Sequence, residues 1–319
     1  MFRQAWRRYA TYNRFKNSPP PINVNFVVSL LSTRRAAYVG GGLAAFYVYN
    51  LDRAPYSGRL RCLWVPDQAV KLIGDLEENN MLQSFKGSIL PKSNPLQYRI
   101  SKIMNRLLAS ALESLPTPER RRYLELLPWE IHIINDNLLP PNAFVLPNGK
   151  IYVISSILPI AENDSGIATV LGHELAHLLA LHSSEALLKK PVQILVSSLL
   201  YLATGSSLVS NLFTGVLLSQ PASRAQETEA DRIGCELMAM LCFNLNELTK
   251  FWKRMSDYER AHGSVDNALT NMLSTHPASK KRVEDIQLWM PHLREVEEKS
   301  GCNQHLFERF NKVQYNFFK

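Results

Sequence analysis

Apolar residues between positions 95 and 114 recur at steps of three and four, placing Ile100, Ile103, Met104, Leu107, Leu108, Ala111 and Leu112 on one stripe. That period predicts an amphipathic helix with one face in a core. Further on the period shortens. Trp129 to Asp136 (WEIHIIND) alternates and is rich in β-branched residues, which predicts a strand with His132 on one side. A lone strand histidine is usually structural. Arg59 to Pro66 (RLRCLWVP) predicts a short strand that opens the folded domain. Asn142 to Leu158 predicts a hairpin turning at Asn148-Gly149, a dipeptide that accepts the positive φ of a tight turn.

Asn163, Asp164 and Ser165 are capping residues ahead of a second apolar-periodic run, so a helix is predicted over about 165–182. Pro191 to Ser223 then carries no charge. Its two apolar pieces, each about 12 to 13 residues, are too short to span a bilayer singly. An apolar helical hairpin over 191–222 fits either a core or a membrane-facing position. From Arg224 a charged helix resumes with Ala230, Ile233, Gly234, Leu237, Met238 and Leu241 as its apolar face, and further helices follow near 246–261 and 277–289. The fold class is α+β, mainly helical with a small sheet. An edge strand of that sheet beside the candidate site could pair with an extended peptide through its outward backbone groups.

A chain of 319 residues with 46% hydrophobic and 20% charged content can bury a sizeable core. The formal charge of +8 suggests nucleic-acid binding until its distribution is considered. Arg3, Arg7, Arg8, Arg14, Lys16, Arg34 and Arg35 stand in the first 35 residues, which contain no acid. Taking those seven from +8 leaves +1 for the rest of the chain. The basicity is that of an N-terminal segment, not of a nucleic-acid-binding face. With Trp6, Tyr9, Tyr12 and Phe15 interspersed, residues 1–35 read as a mitochondrial targeting presequence. Ala36 to Leu51 has sixteen residues without a charge. As a helix it would be about 24 Å long, against about 30 Å of hydrocarbon. With Tyr47, Tyr49 and Arg53 at an interface, 36–51 is expected to be a transmembrane helix, and the domain from 59–319 then faces the intermembrane space; the competing reading is a part of a longer cleaved leader.

The four cysteines form no ligand motif. Cys235 and Cys242, seven apart on one predicted helix, are about 10 Å apart along its axis, too far for a mutual disulfide. Either could pair with Cys62 or Cys302; four unpaired thiols are the simpler expectation.

The chemistry concentrates in HELAH, His173 to His177. Two histidines at i and i+4 leave one helix face about 6 Å apart along the axis, so two imidazole nitrogens can meet one Zn²⁺. Glu174 is placed to act as general base on the attacking water. With 8 histidines in the chain, a chance His-Glu-x-x-His match is on the order of one in a hundred. A third ligand in context lowers that further. ETEAD, Glu227 to Asp231, offers one: Glu227 and Asp231 border the apolar face of their helix, whereas Glu229 falls with Arg232 and Glu236 on the opposite, solvated side. Glu227 is the preferred ligand, completing a two-His, one-Glu catalytic set. Asp231 is better suited to accept from a ligand histidine, and it and Glu229 remain the alternative ligands.

HELAH, ETEAD preceded by Ser223-Arg224, and Thr275-His276-Pro277 with Arg282 six residues after His276 together resemble the HtpX and CAAX-prenyl-protease group of integral-membrane zinc peptidases. NAFVLPNGKIYV upstream, with an N-terminal anchor, looks most like the mitochondrial Oma-type metalloendopeptidases, whose activity overlaps that of the m-AAA protease. The resemblance covers about 60–290. It implies a zincin-like (gluzincin) domain and an ATP-independent endopeptidase of the mitochondrial inner membrane, active in quality control and stress-triggered processing of membrane proteins, including dynamin-related fusion GTPases. It maps one Zn²⁺ per subunit to His173, His177 and Glu227, the base to Glu174, and an oxyanion-stabilising or site-ordering role to His276, for which a helix-capping His-Pro is the equal alternative. Inner-membrane protein substrates and membrane lipid are the partners implied, with a homo-oligomer compatible and no nucleic acid. Ala186 after Glu185 and Ser155-Ser156 depart from the group's pattern, away from the metal residues. The rival class is a metal-binding scaffold or chaperone-like partner without turnover; retention of Glu174 favours the enzyme.

Overall fold

The computed structural model describes residues 33–54, 57–115, 117–188, 197–198, 220–262 and 280–301. In chain order, α1 (Arg34–Tyr49) leads into β1 (Leu51–Arg53) and β2 (Leu60–Cys62), followed by α2 (Asp67–Ser84), α3 (Pro95–Ser114) and α4 (Pro118–Glu125). β3 (Glu130–Ile134), β4 (Ala143–Val145), β5 (Lys150–Ile154), the short α5 (Leu158–Ala161) and α6 (Asp164–Leu179) come next. Beyond them lie α7 (Gln220–Met240), α8 (Asn246–His262) and α9 (Lys280–Ser300).

The apolar stripe of residues 95–114 is α3, and its side chains are buried against α6 and α7 in the main core. Asn163 caps α6 by accepting from the amides of Ser165 and Gly166. The hairpin of 142–158 is β4 and β5, antiparallel, with Gly149 at φ 87° in its turn. β5 also pairs in parallel with β3, giving the order β3-β5-β4, a pairing that neither segment's own pattern announces. The strands alternate cleanly. Ile131, Ile133, Ile151 and Val153 enter the main core, while Ile134, Tyr152 and Ile154 form a second cluster with Met81 and Phe85. β4 is one of the sheet's two edge strands, and it packs on α6.

The transmembrane helix expected over 36–51 needs correction. A helix forms there, but α1 has only 16 residues and starts with two arginines, and among the described residues no helix is long and apolar enough to cross a membrane. Its Tyr38, Leu43, Phe46, Tyr47 and Tyr49 are exposed. β1 pairs with β2, so this hairpin straddles the expected domain start at residue 59. The thiols also differ from expectation: Cys62 and Cys235 are free and buried, whereas Cys242, at the end of α7, is disulfide-bonded. Residues 1–32, nearly all of 191–222, and His276 lie outside the described residues.

Candidate metal centre

His173 and His177 project from α6 one turn apart, and Glu227 reaches them from α7, the helix most closely packed on α6. The two histidine Nε2 atoms are 3.1 Å apart, and the Glu227 carboxylate lies 3.3 Å from His173 Nε2 and 3.4 Å from His177 Nε2. Ligands about 2.0–2.1 Å from a tetrahedral zinc stand about 3.3–3.4 Å from one another. Glu227 makes the two approaches with different oxygens, Oε2 to His173 and Oε1 to His177, so the three side chains converge at distances close to those between zinc ligands, and their donor set of two imidazoles and a carboxylate suits that ion. Glu174 is buried on the same helix, next to His173.

Each candidate ligand histidine is held from behind. Asp231, one turn after Glu227, puts Oδ1 at 3.0 Å from His173 Nδ1. It also takes two hydrogen bonds from Arg282, at 2.7 and 2.5 Å. Arg282 lies over the Trp252 ring, 3.4 Å from its centroid, and within 3.5 Å of Glu227. Burial and the Arg282 charge push the His173 pKa down, but hydrogen bonds to Asp231 and Glu227 outweigh them and hold it at about 9. The pocket therefore favours a positive charge beside Asp231 and Glu227. Burial would raise the Asp231 carboxyl, yet Arg282 and His173 keep it below the usual carboxylate range. Behind the second candidate ligand, His182 brings Nδ1 to 2.8 Å from His177 Nδ1, and its Nε2 lies 3.2 Å from Glu229.

Glu229 is where the helical pattern misleads. It is not solvated: it is buried, because the segment carrying His182 and the β1–β2 turn with Ser57 and Arg59 cover that side of α7. Arg232 and Glu236, on the same side, pair with each other at the surface. His182, Trp252 and Arg59 escape sequence reasoning altogether; the nearest signal is His182 five residues after His177, with Glu185 three further on.

His132 lies in a separate cluster with Glu78 and Glu130 on the α2 side of the sheet. Lys150 Nζ, 2.9 Å from Glu130 and 3.5 Å from Glu78, already supplies the positive charge there. Burial opposes ionisation of Glu130, but hydrogen bonds from Lys92 and Lys150 prevail and bring its pKa down to about 2. This is an ion-pair network supporting the sheet.

His177 also lines a small cleft with Asp67, Arg120, Tyr123, Pro147 and Ser184. Pro147 belongs to the β4–β5 turn, so that turn borders the same cleft.

Residues 99–290 match the model of peptidase family M48. The chain is 40% identical over 298 residues to the mitochondrial metalloendopeptidase OMA1 of Saccharomyces cerevisiae, covering 92% of this chain and 85% of that protein. It is 33% identical over 301 residues to the mitochondrial metalloendopeptidase OMA1 of Schizosaccharomyces pombe, with 93% and 81% covered. To the human mitochondrial metalloendopeptidase OMA1 it is 26% identical over 268 residues, covering 81% of this chain and 49% of the human one.

Proposed function

The chain belongs to peptidase family M48 and is a metalloendopeptidase, and from that premise we propose that it uses one zinc ion, held by His173, His177 and Glu227, with Glu174 as general base. The observation that carries this reading is the spacing of the three donor groups, 3.1, 3.3 and 3.4 Å, beside a buried glutamate. When bound, zinc supplies Lewis acidity that polarises the scissile carbonyl and acidifies the attacking water. Glu174 takes the proton of that water and returns it to the leaving amine. Asp231 keeps the His173 ring oriented by accepting at Nδ1. His276 is assigned the stabilisation of the developing oxyanion, on the resemblance of its Thr-His-Pro context alone.

Substrate binding is assigned to β4. Leu146 N–H donates to Lys150 and Ile154 N–H to Asn142, so Asn142, Phe144 and Leu146 bond inward to β5. The backbone groups of Ala143 and Val145 then point outward. Among the described residues no strand pairs on that side. An extended substrate adding there would be gripped through its backbone whatever its sequence.

The same proposal divides the chain into a presequence over 1–35 and a zincin-like catalytic domain over 59–319. It places the enzyme at the mitochondrial inner membrane, with that domain in the intermembrane space and without ATP dependence. The acid-free basic N-terminus, the mitochondrial names of the relatives and the exposed aromatic residues of α1 support the placement. Its substrates are proposed to be inner-membrane proteins, including dynamin-related fusion GTPases, with membrane lipid and a second copy of the chain as further partners.

Metal analysis and a peptide-cleavage assay on wild type and Glu174→Gln test the mechanism. One zinc per chain is expected in both, with cleavage reduced about 10²–10⁴-fold in the variant. Undiminished cleavage by Glu174→Gln would sink the assignment of the base.

A further inference from the structure

We infer that His182 and Glu229 are positioning residues that fix the tautomer and ring angle of His177, and that Ser57 and Arg59 in the β1–β2 turn hold Glu229 in place. The inference rests on the zinc site proposed above.

The chain is bent to make this contact. α6 ends at Leu179 with Ala180 as its cap, and Leu181 then adopts φ 59°, a left-handed conformation that is unfavourable for a residue with a Cβ. The turn brings His182 back beside the last turn of α6. There its Nδ1 meets His177 Nδ1 at 2.8 Å, with the two rings inclined at 68°. The direction of the hydrogen bonds follows from the far end. A carboxylate only accepts, so His182 donates Nε2–H to Glu229 Oε2 at 3.2 Å. In neutral His182, Nδ1 is then the acceptor, and His177 must donate its Nδ1–H. The proton is thereby kept off His177 Nε2, the atom facing His173 and Glu227. The opposite tautomer would carry N–H where the metal binds.

Glu229 is itself held on two sides. Ser57 Oγ donates to Oε1 at 3.1 Å, and Arg59 approaches Oε2 at 3.4 Å. The same guanidinium grips Glu185 with two bonds of 2.7 Å. Glu185 and Glu229 are each only 3% exposed, so one arginine compensates two buried carboxylates. A network that served folding alone would have no need to end on a ring nitrogen of a metal ligand. Here the chain from Ser57 and Arg59 through Glu229 and His182 ends on His177, making this N-terminal hairpin part of the metal centre.

The test uses the zinc-loaded full chain and reads zinc release to a chromogenic chelator and the visible spectrum of the Co²⁺-substituted protein. Loss of a group that orients a ligand histidine typically weakens metal binding about 10–100-fold. His182→Ala and Glu229→Ala are expected to release zinc faster by about that factor and to shift the Co²⁺ bands. Arg59→Ala should shift both in the same direction and less, and kcat should fall more than KM rises. Glu229→Gln keeps the volume and an acceptor oxygen but loses the charge; it is expected between wild type and Glu229→Ala. It decides the matter if the alanine variants do not fold. Folded variants with the release rate and spectrum of wild type overturn the inference. His177→Ala separates this from the underlying site: tight zinc binding in that variant overturns the site and the inference together, whereas zinc loss there with wild-type behaviour in His182→Ala overturns the inference alone.

Discussion

Gly234 of α7 lies against Gly172 of α6 so closely that a Cβ on Gly234 would stand 3.0 Å from both the Gly172 carbonyl carbon and the His173 amide nitrogen. The two helices meet backbone to backbone one residue from the first candidate ligand. This crossing lets Glu227 and Asp231, earlier on α7, reach both sides of the His173 ring. The absence of two side chains therefore helps set the geometry of the candidate metal centre.

Gly234→Ala should accordingly force α7 away from α6, because backbone atoms cannot yield as a side chain does. A loss of about 1–3 kcal/mol is expected, with weaker zinc binding as Glu227 retreats. Gly172→Ala should be much milder, since its Cβ would meet its nearest neighbour, the Gly234 carbonyl oxygen, at an ordinary 3.5 Å. Thermal melts and zinc titrations of the two variants check the asymmetry; equal effects would contradict it.

Asp231→Asn removes the charge that compensates buried Arg282 and weakens the acceptor for His173 Nδ1. Stability should fall by about 2–4 kcal/mol and zinc affinity by about 10–100-fold. Denaturant unfolding with and without zinc separates the two effects.

Val145→Pro probes the proposed substrate strand. The Val145 N–H points away from β5, so proline there breaks no bond of the sheet and is tolerated as in other edge strands. KM for an extended peptide should rise several-fold while the melting temperature changes little. An unaltered KM in a folded variant would remove β4 from substrate binding.

Lys150→Met tests the network under the sheet. Because the folded-state pKa of Glu130 is depressed to about 2 from an ordinary 4.5, its ionised form contributes stability that is complete above pH 4.5 and is lost as pH falls toward 2. The variant should be less stable at neutral pH by on the order of 1–2 kcal/mol, less than for a fully buried pair because Lys92 still holds Glu130. The difference from wild type should shrink as the pH falls through that window. A difference independent of pH would mean that Lys150 acts through packing.

Much of this was legible in one dimension because it depends on neighbours within a turn or a strand. The stripe of 95–114, the Asn163 cap, the Asn148-Gly149 turn and the i, i+4 pair of His173 and His177 are local periodicities and local hydrogen bonds, and each recurs in the fold. Glu227 was legible for the same reason: an apolar face on its own helix shows which side turns inward. The same reasoning failed at Glu229. A helical wheel assigns solvent to whatever is not apolar, and it contains no β1–β2 turn.

The sequence by itself determined the family, the residue types of the candidate site and the helices that carry them, because chemical identity and spacing along a helix are properties of the chain. Only the tertiary structure decided that Glu227 sits 3.3 and 3.4 Å from the two histidines, that Asp231 and His182 stand behind them, and that Arg59 closes the far end. It also decided that the helix after Arg34 stops at 16 residues. These depend on how closely α6 and α7 cross and on which distant segment fills the remaining space. Such distances arise from packing between elements far apart in the chain, which no local pattern encodes.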